Sequence, residues 1–174
     1  MKQEKQKTEE ELAAKIMEYA RDELMISMRF LDRALFRMPL VAADSVAAFG
    51  VDGATMYYNP EYVLHAFKRE KNACTRAFLH MILHCIFSHP FQYEKLDREC
   101  WDLATDLAVE QSILDLNLKC VELERDASLK RTLSHLAQKV PILTAEKIYR
   151  WLYENPEESA EFFREEPQFM WMII

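Results

Sequence analysis

The chain predicts a mainly α-helical domain with one small β-hairpin, an α+β arrangement, and three observations carry that reading. Glycine occurs only twice, as Gly50 and Gly53, and both fall in one short run of β-prone residues. Leu, Ala, Glu, Met and Lys are plentiful, and such side chains lose little freedom in a helix. Apolar residues elsewhere recur at steps of three and four rather than alternating, which is the helical period. With 174 residues, 50% of them hydrophobic, the chain is sized for a single domain, 1–174, with its own core.

Thr8 with Glu11 three residues on resembles a capping box. It opens an apolar series through Leu12, Ile16, Tyr19, Leu24, Met28, Leu31 and Leu35, so one helix is expected over 8–38, ending at Met38-Pro39. Residues 44–58 follow as a hairpin, because Gly50 and Gly53 flank Val51-Asp52 between Val46-Phe49 and Met56-Tyr58. Asn59-Pro60 supplies a cap and a first-turn proline for a helix to about Phe67. Two longer helices are expected within 73–118, the first stopped by His89-Pro90 and the second packing through Trp101, Leu103, Ala104, Leu107, Ala108, Ile113 and Leu114. The last region, 128–174, gives helices over 128–139 and 144–153, then an acidic stretch and the apolar tail Phe169–Ile174, which needs burial in its own core, a second subunit or another domain.

A formal net charge of −7 and a sequence pI near 5.3 argue against a general nucleic-acid binder, whose affinity needs a basic face. The charged Met1–Lys7 segment lacks the apolar core of a signal peptide, and no stretch reaches membrane-spanning length, so neither export nor a membrane is expected. Cys74, Cys85, Cys100 and Cys120 form no CxxC pair, which suits reduced thiols in the cytoplasm.

Chemistry concentrates in 78–110. His80 and His84 stand one helical turn apart in an apolar segment, and two imidazoles so placed can hold one cation from the same side. They can equally be core histidines bonded to neighbours. On the next helix Asp102, Asp106 and Glu110 form a carboxylate stripe at i,i+4 steps, either solvated or partnered with such a cation. His89 is another candidate ligand, but reaching the pair requires a sharp helix exit with no glycine to ease it. His65 and His135 read as surface or boundary residues.

These blocks together resemble the metallopeptidase-like domain of bacterial proteins that usually continue into a von Willebrand factor A-like domain. The resemblance covers roughly Leu31 to Leu152. It rests on Leu35-Phe36-Arg37-Met38-Pro39-Leu40, on Met56-Tyr57-Tyr58-Asn59-Pro60-Glu61-Tyr62, on Phe78-Leu79-His80-Met81-Ile82-Leu83-His84 through His89, and on Trp101-Asp102-Leu103-Ala104-Thr105-Asp106. It implies a zincin-like architecture, with His80 and His84 as metal ligands, Asp106 as the third ligand ahead of His89, and Zn2+ as the cofactor. It also implies collaboration with an AAA-type ATPase or a von Willebrand factor A-like module. A homo-oligomer through the apolar tail is a further expectation.

The chain departs from the family pattern at named positions. Met81 stands where HExxH has its glutamate, Ser88 replaces a glycine, and Asp102 and Glu110 replace asparagines. Losing the positioned base costs on the order of 10²–10⁴ in rate. The expected function is therefore a catalytically impaired metallopeptidase-like domain that keeps a metal, or the shape of its site, and acts by binding a partner or peptide. One alternative is an active hydrolase with Glu110 or Asp102 as substitute base. The other is a metal-free helical interaction domain.

Overall fold

The structure is a computed structural model and describes residues 2–92 and 96–164. It is mainly helical with a small sheet, as expected. In chain order the elements are α1 (Lys2–Ser27), α2 (Asp32–Arg37), β1 (Leu40–Ala42), β2 (Phe49–Val51), β3 (Met56–Tyr58), α3 (Pro60–Arg69), α4 (Ala73–Ile86), α5 (Arg98–Leu116), α6 (Asp126–Lys139), α7 (Ala145–Glu154) and α8 (Pro156–Arg164). Single 3-10 turns occupy Arg29–Leu31, His89–Phe91 and Lys119–Val121.

The single helix expected over 8–38 is two. α1 ends at Ser27, Met28 takes a non-helical conformation (φ −133°, ψ 63°), and the chain resumes as α2. Burial explains the break without glycine or proline. Met28 and Leu35 both reach the core, while Phe30 between them points outward at 76% exposure. A continued straight helix would advance 1.5 Å per residue, carrying Leu35 away from that core.

The hairpin is present, with β2 antiparallel to β3 (Phe49 opposite Tyr58, Val51 opposite Met56). Its turn is tied by the Asp52 carboxylate, which accepts from the Ala54 and Thr55 amides at 2.8 and 2.7 Å and from the Tyr57 hydroxyl at 2.9 Å. Gly53 takes φ +89°, and a Cβ there would run into the Phe91 ring. The sequence reading missed β1, which pairs parallel with β3 to give the order β1-β3-β2. Leu40–Ala42 is only three residues long and half-exposed to exposed, so it has no alternating apolar pattern to read.

α3 begins as its sequence dictates, with the Asn59 side chain accepting from the Tyr62 amide at 3.1 Å and Pro60 in the first turn. α4 is buried at every residue from Ala73 to His84, because it runs through the main core between α1, α3 and the sheet. α5 is the partition between two apolar clusters. Val109 and Ile113 belong to the core around α1, α3 and α4, whereas Trp101, Ala104, Leu107 and Ala108 pack with α6 and α7. The acidic stretch after Asn155 forms α8; the apolar tail Phe169–Ile174 lies outside the described residues.

α4 ends on Ser88 in the left-handed conformation (φ 60°, ψ 23°), its amide donating to the Cys85 carbonyl at 3.1 Å. This is the sharp exit that the sequence offered no glycine to make. A left-handed residue other than glycine costs roughly 1–2 kcal/mol, and glycine's greater unfolded freedom offsets roughly 0.5–1 of it. The Ser88 side chain is exposed and packs nothing away. Ser88→Gly is therefore expected to raise stability by about 0.5–1 kcal/mol in denaturant melts.

Candidate metal centre

α4 and α5 set two polar stripes face to face. Along α4 the polar residues at i,i+4 spacing are Arg76, His80 and His84, and along α5 they are Asp102, Asp106 and Glu110. His80 Nε2, His84 Nε2 and Asp106 Oδ1 converge: the imidazole nitrogens lie 2.9 Å apart, and the carboxylate oxygen is 3.3 Å from His80 and 3.2 Å from His84. All three residues are buried. Donor atoms held at about 2.0–2.1 Å from a tetrahedral zinc lie about 3.3 Å from one another. The triangle has the size of one face of such a tetrahedron, and two imidazoles with one carboxylate are a donor set that zinc accepts. His80, His84 and Asp106 are thus a group that could hold a metal ion.

Each imidazole is held from its other nitrogen. His80 Nδ1 lies 2.8 Å from Glu110 Oε1. Glu110 is in turn gripped by Arg76, with Nη2 2.6 Å from Oε2 and Nε 3.5 Å from Oε1, while Arg76 Nη1 donates to the Val121 carbonyl at 3.0 Å. His84 Nδ1 lies 3.1 Å from His89 Nδ1, and the His89 carbonyl accepts from Trp101 Nε1 at 3.3 Å.

The other candidates from the sequence fall in distinct places. The Ser88 exit brings His89 against His84, but on the ring edge opposite the converging nitrogens. Glu110 sits behind His80. Asp102 is half-buried one turn before Asp106, 3.6 Å from Arg98 Nε. With His89, Trp101, Tyr57, Val51 and Asp52 it lines a cleft of about 350 Å³ between the hairpin and α5. His65 is exposed beside Glu61, and His135 is exposed on α6. Arg76 was missed, although a lone arginine inside an apolar helix, one turn before the first histidine, signals a buried acidic partner.

The charges follow from this packing. Burial alone would pull the His80 imidazole down, but its bonds to Asp106 and Glu110 outweigh that and raise it to about 9. Burial lowers His84, with the His80 charge adding to the effect. Burial and then His84 lower His89 to about 4, so it is neutral near pH 7 and can accept a proton bond from His84. Against burial, the His80 and His84 bonds hold Asp106 below its ordinary range, and His80 with Arg76 does the same for Glu110. Burial raises Asp102.

A helical domain with two imidazoles on one buried helix and a carboxylate on the next, beside an open cleft, is an arrangement compatible with a metallopeptidase-like class. The family comparison agrees. Over residues 13–167 the chain matches the family described as "Putative metallopeptidase domain", and it belongs to that family. No curated protein and no solved structure matches it.

The folded His80 pKa lies above the ordinary imidazole value. In chelated protein its stabilisation is therefore full below about pH 6.5 and is lost as pH rises through about 9. Denaturant melts at pH 6.5, 8 and 9.5 should show that decline. A cation held by this group would compete with the same proton, so affinity for an added divalent cation should climb roughly tenfold per pH unit over this window, read by chelator competition. His84→Ala should abolish whatever cation binding the wild type shows in the same assay.

Proposed function

We propose that this chain is a zinc-binding, metallopeptidase-like domain with impaired hydrolysis that acts by holding a peptide or protein partner. One observation carries the reading: beside an intact group of two histidines and one aspartate, the position of the HExxH glutamate is Met81, 4% exposed and part of the main apolar core. When bound, zinc supplies Lewis acidity toward a peptide carbonyl or a water. His80, His84 and Asp106 are the residues that would hold it, and Glu110 and His89 would orient the two rings. A thioether takes no proton. Glu110 is engaged behind His80 with Arg76 and does not face the cleft.

For the partner, family resemblance supports an AAA-type ATPase or a von Willebrand factor A-like module. The free thiols of Cys74, Cys85, Cys100 and Cys120 suit a cytoplasmic setting. Among the described residues no helix is long and apolar enough to cross a membrane.

A second reading, active hydrolysis with a substitute base, is favoured by one residue. Asp102 faces the cleft next to His89, and its burial raises it toward the range of a general base. The two readings separate in one experiment. Protein purified without added metal should carry about one zinc per chain and cleave peptides no faster than its chelated control. Met81→Glu should then raise chelator-sensitive turnover by roughly 10²–10⁴. Turnover in the wild type that disappears in Asp102→Asn would establish the second reading instead.

A further inference from the structure

The Glu110 carboxylate has partners on both its oxygens. Oε1 meets His80 Nδ1 at 2.8 Å, and Oε2 meets Arg76 Nη2 at 2.6 Å. Glu110 and Arg76 are each 2% exposed, so bulk solvent does not compete for these bonds. Arg76 is itself fixed by the Val121 carbonyl and lies 3.5 Å from Asp126 Oδ1, while Arg125 Nη2 approaches Glu110 Oε2 to 3.8 Å. A carboxylate paired with a buried guanidinium only accepts hydrogen bonds. A proton of the 2.8 Å bond must therefore sit on His80 Nδ1, so that when a cation displaces the second proton it is Nε2, facing His84 and Asp106, that offers the lone pair.

His84 lacks an equivalent. Its second nitrogen meets a neutral imidazole, His89, at 3.1 Å. The two histidines are thus held unequally: His80 by a charged clamp anchored to the segment after α5, and His84 by a neutral ring at the cleft.

We infer that Glu110 is a positioning residue of the metal centre, fixing the Nδ1–H tautomer and ring orientation of His80, with Arg76 holding Glu110 in that role. The inference rests on the zinc reading above and adds a residue that the HExxH pattern does not contain. Removing such an outer partner weakens metal binding by roughly 10–100-fold. A purely structural Arg76–Glu110 pair would cost stability and leave the affinity of the folded protein unchanged.

The test measures zinc affinity by competition with a chromogenic chelator in the full chain, for wild type and Glu110→Gln, with folding followed by circular dichroism. Nitrogen-15 histidine spectra of zinc-loaded wild type give the tautomer directly. A 10–100-fold weaker affinity in folded Glu110→Gln, with His80 as the Nδ1–H tautomer, is the expected result. Affinity within threefold of wild type, or His80 carrying its proton on Nε2, overturns the inference. If Glu110→Gln does not fold, Glu110→Asp, which keeps the charge opposite Arg76 but shortens the reach to His80, is measured in the same way, and zinc affinity within threefold of wild type there overturns the inference. Wild type that binds no zinc removes the metal reading itself, and so is distinct from a failure of Glu110's role.

Discussion

Two carboxylates on one buried helix face have to be neutralised where no water reaches them, and the layout of the molecule follows from that requirement. An isolated charge in such a place costs several kcal/mol or shifts its pKa until it is neutral. α5 cannot turn its acids elsewhere, because one flank packs with α6 and α7 and another packs into the core around α4. Its acidic stripe meets α4 in antiparallel register: Arg76 against Glu110, His80 between Glu110 and Asp106, and His84 against Asp106. Asp102, one turn further, has passed the histidines and opens onto the cleft with His89.

The pairing is unequal in charge. Arg76 balances Glu110, but Asp106 faces only imidazoles, so one positive charge has to come from a proton on the histidines or from a cation. The short separation of the two Nε2 atoms, 2.9 Å, admits either. Lone pairs that close require a shared proton or a common Lewis acid between them. The same geometry therefore suits either a proton or a metal ion, and the two would compete for one position. Breaking such a buried pairing by deleting one partner is costly, because a charge is left uncompensated. The site and the α4–α5 packing are consequently one structural unit.

The sequence carried the parts of this unit that repeat along one helix and lost those that depend on a facing element. The i,i+4 spacing of His80 with His84, and of Asp102, Asp106 and Glu110, identified the stripes. Spacing could not say which acid meets which base, because that depends on the relative register of two helices. Hence Glu110 and Asp102 looked interchangeable as substitute bases, although they stand at opposite ends of the pairing. Arg76 hid in an apolar run for the same reason: its partner lies 34 residues away in sequence. The hairpin was legible from two glycines and Asp52, whereas β1 was not, since its pairing with β3 comes from tertiary placement rather than pattern. The break at Met28 carries no proline or glycine and is enforced by where Leu35 is buried. Ser88 shows the converse, a residue accepting a strained conformation because Phe87, His89 and Trp101 are packed around the exit.

The loss of the glutamate at Met81 and the presence of Glu110 belong to one electrostatic arrangement. Position 81 follows His80 directly, so it lies about 100° round the helix from the polar stripe, and Met81 accordingly joins the apolar core. With Glu110 already present behind His80, a glutamate at 81 would add a third carboxylate beside the α4–α5 pairing, where Arg76 and Arg125 both already face Glu110, at 2.6 and 3.8 Å. That extra charge would need a further proton or a divalent cation to balance it. With methionine there, a single proton on the histidine pair is enough to balance the metal-free site. Under the proposed function the consequence is that the acid beside His80 stands behind the ring, at Nδ1, rather than at position 81.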